Sequence, residues 1–157
     1  MSSVKTWTTH SADETMRVGR ELAAMLTAPT MLILRGDLGA GKTTLVKGIA
    51  AALGVAEAED VTSPTFTLVH EYAPTSQKRD VGHPNLSLFH LDLYRLEKER
   101  ELDALGIDEM MQDAIVLIEW GEKFTSLAGR ADGEIAIERS DEMAGGDVRK
   151  ITLRLNK

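Results

Sequence analysis

No cysteine occurs among the 157 residues. That excludes a disulfide frame, a thiolate metal site and a cysteine nucleophile, and it fits a reducing compartment. No stretch approaches the ~18 apolar residues that a membrane helix requires. The opening Met1-Ser2-Ser3-Val4-Lys5-Thr6-Trp7 lacks the apolar segment of a signal peptide. A cytoplasmic protein without a membrane partner is the expectation. Basic residues are the minority, 18 against 25 acidic, for a net charge of −7. Such a surface repels phosphate backbones, so tight unaided binding of nucleic acid is not expected, and any RNA would be held through a partner. Internal repeats, coiled-coil heptads and low-complexity tracts are missing as well. The ordinary hydrophobic share, 43%, predicts a single domain over 1–157 that buries a core without staples.

Against these absences stands one contiguous motif. Gly36-Asp37-Leu38-Gly39-Ala40-Gly41-Lys42-Thr43 matches the phosphate-loop pattern G-x-x-x-x-G-K-[ST]. Met31-Leu32-Ile33-Leu34 before it is fully apolar and reads as a buried strand. Residues 44–53 after it read as a helix, closed at Gly54 by a left-handed cap. Strand, glycine-rich loop and helix are the context in which the pattern works: backbone N–H groups surround the phosphates and the helix N-terminus adds a positive dipole end. In that context Lys42 would bridge the β- and γ-phosphates and the Thr43 hydroxyl would ligate Mg²⁺. The chain is expected to bind a nucleoside triphosphate.

The flanking segments predict the layers around this loop. Residues 4–9 suit a short strand. Ser11 and Glu14 have the spacing of a capping box, opening a helix that runs to about Leu26 with Met16, Leu22, Ala23 and Leu26 at helical intervals. Residues 61–72 read as a loop feeding a β-rich segment, and 73–85 as a polar surface loop. In a strand over 86–94, Phe89, Leu91 and Leu93 face one way, and His90, Asp92 and Tyr94 the other. A charged amphipathic helix over 97–105 and a shorter one to 112 precede a second fully apolar strand, 114–118, that ends at Glu119-Trp120. Strands over 134–139 and 148–155, joined through 140–146, make a terminal hairpin. Two apolar strands that deliver polar residues at their carboxyl ends indicate a buried, mostly parallel sheet with helices on both faces. The predicted fold class is α/β: a P-loop NTPase-like three-layer α/β/α sandwich with added antiparallel strands.

Hydrolysis needs an acid near the metal and the attacking water. Glu119, emerging from a buried strand at the sheet's carboxyl edge, is the leading candidate, against the alternative of a solvated strand-end glutamate. Asp92 is the second. A carboxylate between Leu91 and Leu93 requires compensation, by Mg²⁺, its shell water or Thr43, or by an ion pair with Arg95 or Lys98. His90, two residues away, reads as a supporting or core histidine in preference to a transition-metal ligand. In Ser63-Pro64-Thr65-Phe66-Thr67, Thr65 or Thr67 could sense the γ-phosphate, or the segment could simply enter a strand. Trp120 is expected in the core. No N/T-K-x-D guanine-reading segment occurs, and the D-x-x-G turn that guanine-specific GTPases place after the third strand is missing, which favours ATP; the absence of a compact arginine lid disfavours a small-molecule kinase. A nucleotide-gated scaffold without turnover is the non-enzymatic alternative.

Taken together, the phosphate loop with Thr44, Ser63-Pro64-Thr65-Phe66-Thr67-Leu68-Val69, His90-Leu91-Asp92-Leu93-Tyr94-Arg95-Leu96 and Leu117-Ile118-Glu119-Trp120 resemble the TsaE (YjeE) family. These are bacterial P-loop ATPases of tRNA threonylcarbamoyladenosine biosynthesis. The resemblance implies a slow Mg²⁺-dependent ATPase that associates with the TsaB–TsaD pair and resets or licenses it without performing the transfer. It implies nucleotide contacts from Asp37, Leu38, Gly39, Ala40, Gly41, Lys42, Thr43, Thr44 and the switch residue Thr65. It assigns Mg²⁺ to Thr43 and Glu119, catalysis to Lys42, Asp92 and Glu119, and an approach to the adenine to residues 9–12.

Overall fold

A computed structural model of the chain describes residues 2–37, 39–74, 86–140 and 147–156. Its elements in chain order are β1 (Ser3–Thr9), α1 (Ala12–Met25), β2 (Thr30–Arg35), α2 (Lys42–Leu53), β3 (Val69–Tyr72), β4 (Ser87–Asp92), α3 (Glu99–Asp103), α4 (Ile107–Met110), β5 (Ala114–Glu119), α5 (Thr125–Arg130), β6 (Gly133–Ser140) and β7 (Val148–Leu155). The strands form one sheet in the order β1-β7-β6-β2-β5-β4-β3. At its centre β6, β2, β5 and β4 run parallel. Antiparallel β7 and β1 extend one edge and antiparallel β3 the other.

The apolar runs occupy the middle because they have helices on both sides. All six residues of β5 are buried, as a strand with two covered faces requires. Alternation along β2 divides the core in two. Leu32 and Leu34 pack with Val18 and Leu22 of α1 and with Leu45 and Ile49 of α2. Met31 and Ile33 point the other way, into a cluster with Leu102 of α3, Ile107 of α4 and Leu127 of α5. The three-layer α/β/α arrangement expected of a P-loop NTPase-like fold is therefore present, with its antiparallel additions at the sheet edges.

Local chemistry sets the helix ends. Ser11 Oγ accepts the Glu14 N–H at 3.1 Å and caps α1. The reciprocal bond falls one residue earlier than a capping box places it, since Glu14 Oε1 accepts the His10 N–H at 2.8 Å. Gly54, in the left-handed region, closes α2 through its N–H to the carbonyls of Ala50 and Ala51. Where α1 crosses α2, a Cβ on Gly48 would stand 2.1 Å from the Met16 carbonyl oxygen. Only glycine permits that approach.

Several expected boundaries shift. α2 begins at Lys42, two residues early, because the last glycine of the loop already serves as its N-cap. The strand predicted over 86–94 stops at Asp92, whose own Oδ1 accepts the Tyr94 N–H at 2.9 Å and turns the chain. The helix predicted over 97–105 contracts to α3. No element was expected where α5 lies; its six residues are held by burial of Leu127 and of neighbouring Phe124, a tertiary effect that local propensity does not signal. Of the predicted polar loop at 73–85 and the hairpin connection at 140–146, residues 75–85 and 141–146 lie outside the described residues.

Candidate active site

Parallel strands bring their carboxyl ends to one edge, and chain register decides which side chains meet there. Leu34 of β2 pairs with Glu119 of β5, and Glu119 pairs in turn with Asp92 of β4. The phosphate loop starts two residues beyond Leu34. Loop, Glu119 and Asp92 thus stand side by side, where the sheet's connections turn to opposite sides of β2.

The loop presents backbone. Gly39 and Gly41 have φ of +81° and +109°, a region that a side chain disfavours. A Cβ on Gly36 would meet the Ile137 carbonyl oxygen of β6 at 2.8 Å. Gly41 is the N-cap of α2, which has no side-chain cap and no acidic residue in its first turn. The first N–H groups of this 12-residue helix are therefore available to an anion. From β7, Arg149 Nε donates to the Ala40 carbonyl at 2.8 Å and Nη2 to the Gly39 carbonyl at 3.5 Å, bracing the loop from outside.

The acids present side chains, each held by neighbours. Lys42 Nζ donates to the Gly36 carbonyl at 2.6 Å and contacts Glu119 Oε1 at 3.0 Å. Glu119 Oε2 lies 2.6 Å from His90 Nε2. Glu119 is 4% exposed and His90 fully buried. Burial alone would raise the Glu119 carboxyl, but hydrogen bonds from His90 and Lys42 and the positive charge beside it outweigh burial and hold it below the ordinary glutamate value. Asp92, also 4% exposed, accepts the Thr65 hydroxyl on Oδ2 at 3.2 Å and the Tyr94 N–H on Oδ1. Its compensation comes from these two donors; Arg95 instead stacks over the Phe66 ring, 4.7 Å from its centroid.

A cleft of about 710 Å³ is lined by Gly39, Gly41, Lys42, Thr43, Thr44, Ser63, Thr65, Asp92, Tyr94, Glu119 and Trp120. Asp37 and Ala40 border a second cavity of about 900 Å³ on the β6–β7 side, which shares Lys42 and Trp120 but contains neither Asp92 nor Glu119. The smaller cleft is the one with the chemistry. Leu38 lies outside the described residues. Thr67 and residues 9–12 are absent from the described lining of both cavities; Thr9 is instead buried, its hydroxyl 2.8 Å from that of Thr15.

The sequence model for the family described as "Threonylcarbamoyl adenosine biosynthesis protein TsaE" matches residues 9–151. The chain belongs to the TsaE family. It is 37% identical over 147 residues to a Bacillus subtilis protein named tRNA threonylcarbamoyladenosine biosynthesis protein TsaE, covering 93% of this chain and 82% of that one. A Haemophilus influenzae protein of the same name is 38% identical over 133 residues, 81% of this chain and 77% of its own. The crystal structure of Bacillus subtilis YdiB superposes with a TM-score of 0.69 at 30% identity, covering all of this chain and 88% of that one.

In this TsaE-family chain one cleft residue differs from the sequence-based expectation, and one brace of the phosphate loop escapes it. Trp120 is not a core residue. It is 38% exposed, adopts φ +65° as the chain leaves β5, and faces the cleft with its ring 5.2 Å from that of Tyr94 and 6.0 Å from Lys42 Nζ. The left-handed turn rotates it away from the buried face that Ile118 occupies. Arg149 was not foreseen, because it reaches the loop from 109 positions away and belongs to no local motif.

Proposed function

We propose that this chain, acting as one domain over 1–157, is a Mg²⁺-dependent ATPase of tRNA N6-threonylcarbamoyladenosine biosynthesis. Its turnover resets or licenses a TsaB–TsaD-type complex, and tRNA is reached through those partners. The observation that carries the reading is the contact of 3.0 Å between the phosphate-loop cation Lys42 and the carboxylate Glu119 from the neighbouring strand, at the uncapped start of α2. A cation, an acid and free helix amides at one point are the parts that triphosphate hydrolysis requires.

The donor set fits a magnesium ion. Thr43 and Glu119 offer hard oxygens in the lining of one cleft, with Asp92 in register beside Glu119. Thr43 and Glu119 would hold the metal, which would neutralise charge on the phosphate oxygens when bound. Gly39, Ala40, Gly41, Lys42, Thr43 and Thr44 would cradle the phosphates, with Asp37 and Leu38 completing the loop. Lys42 would exchange its contact with Glu119 for the β- and γ-phosphates, freeing Oε1. Asp92 would orient the attacking water. Its bond to Thr65 links that task to the 63–67 segment, so a γ-phosphate reached by Thr65 would also tension Asp92.

Lys42 is the single cation among the described residues lining the cleft. Slow turnover alone and faster turnover with partners follow, since an added arginine can be worth ~10³–10⁵ in rate. The experiment measures phosphate release from Mg·ATP by the parent and Glu119→Ala, each with and without the partner pair. Expected are slow release, acceleration by partners, and loss of hydrolysis with retained nucleotide binding in the variant. Full-rate hydrolysis unaffected by partners, or phosphate transferred to an acceptor molecule, defeats the proposal.

A further inference from the structure

One buried group in the site remains without a task. His90 lies on β4, fully buried, between Leu117 of β5 and His70 of β3 in register and two residues from Leu88. A leucine there would extend the same core. The imidazole instead makes one hydrogen bond, from Nε2 to Glu119 Oε2 at 2.6 Å. Its Nδ1 is buried with no hydrogen-bond partner among the described residues.

That asymmetry dictates the ring's proton. The partner of Nε2 is a carboxylate oxygen, so Nε2 carries the hydrogen and donates. A hydrogen on Nδ1 would be a buried donor with nothing to receive it, while a bare nitrogen there forgoes only a weak acceptor. Glu119 is consequently tied to a fully buried neighbour through Oε2 alone, its other oxygen being held by the loop lysine. Oε2 is occupied by His90, whereas Oε1 faces Lys42 and the cleft.

The geometry points to His90 as a positioning residue that presents Glu119 to Mg²⁺ through a single oxygen, Oε1, and keeps that presentation when Lys42 turns to the phosphates. The inference rests on the Mg²⁺-dependent ATPase reading and deepens it. Two free oxygens on a rotating carboxylate could chelate the metal, pair with Lys42 from either side, or swing out of the cleft. Tying Oε2 from a fully buried neighbour removes those alternatives. Outer partners of metal-holding carboxylates and histidines commonly contribute ~10–100-fold to metal affinity or activity.

Two variants separate positioning from packing. His90→Gln keeps an N–H donor at the reach of Nε2, and His90→Met keeps the length without the donor. Each is compared with the parent for thermal melting, for nucleotide affinity without metal, and for the Mg²⁺ concentration that half-saturates nucleotide binding and turnover. Expected is a rise of about tenfold in the Mg²⁺ requirement for His90→Met, a return to within about threefold for His90→Gln, and metal-free nucleotide affinity within about twofold for both. Equal shifts in the two variants, or no shift in His90→Met, overturn the assignment while leaving the ATPase reading intact. A parent protein whose nucleotide binding and turnover ignore Mg²⁺ overturns both. If neither variant folds, nitrogen-15 NMR of the metal-free parent decides: a ring protonated at Nε2 supports the assignment, and a ring protonated at Nδ1 alone overturns it.

Discussion

The two walls of the cleft are made of different material. The phosphate loop offers main-chain N–H groups, set by three glycines and the start of α2. The facing wall offers carboxylates, set by the side chains packed around them: His90 and Lys42 for Glu119, and Thr65 with the Tyr94 amide for Asp92. A backbone cradle tolerates side-chain changes and fails when a residue cannot adopt its dihedrals. A carboxylate wall tolerates backbone variation and fails when a neighbour is lost. One site therefore has two distinct kinds of vulnerability.

Substitutions can break that comparison from either side, beginning with the group that spans both walls. Lys42→Ala removes the cation that touches Gly36 and Glu119 alike. Turnover should fall by about 10²–10³, the usual cost of one electrostatic stabiliser, with Mg·ATP binding weakened in calorimetry. Parent-like behaviour would contradict the shared role.

Gly41→Ala tests the cradle alone. Holding alanine at φ +109° costs ~1–3 kcal/mol, and Ile137 Cδ1 already stands 3.2 Å from the new Cβ. Nucleotide affinity should drop by about tenfold or more, read by titration, while the Mg²⁺ requirement of the bound nucleotide stays near the parent's. A selective change in metal dependence would blur the distinction between the walls.

Acid acts on the other wall. The Glu119 carboxyl is lowered from 4.5, so it binds protons less readily folded than unfolded. Its contribution to stability is complete above that value and is lost as pH falls through the lowered folded value. Melting temperatures of the parent and Glu119→Gln, followed from about pH 6 to about pH 3, should keep a constant difference above pH 4.5. Below it the difference should move in favour of the glutamine variant; an unchanged difference would show that the carboxyl is not depressed.

The smallest effect concerns the rim. Trp120 and Thr43 line the same cleft, and Tyr94 stands against the Trp120 ring. Trp120→Phe retains an apolar ring and should change affinity by about threefold or less, since replacing one aromatic contact with another leaves only a fraction of the ~0.5–1.5 kcal/mol such pairs contribute. Tryptophan fluorescence of the parent should respond to nucleotide, and the response should vanish in this variant, leaving Trp7 silent on β1.

Most of the cradle was legible before any fold was known, because a phosphate loop is contiguous. Eight consecutive residues carry the loop, the cap and the cation, and the apolar run before them supplies the strand. Glu119 and Asp92 were visible as acids in apolar company, a costly placement that calls for a reason. Their partners were not. The bond between His90 and Glu119 crosses 29 positions and exists because β4 and β5 pair in one particular register. Trp120 was misplaced for a related reason: a left-handed turn after β5 depends on how the chain leaves the sheet, and nothing in Glu119-Trp120-Gly121 announces it.

By itself, then, the order of residues determined the layered α/β fold, the position of the phosphate loop and the kinship with TsaE proteins, since periodicity, glycine placement and short motifs act over a few neighbours. Tertiary structure alone decided which side chains restrain the acids, that Arg149 braces the loop from β7, and that one oxygen of Glu119 faces the cleft while the other is tied. These are matters of register and packing between distant segments, where a shift of one residue along a strand would turn every side chain to the opposite face.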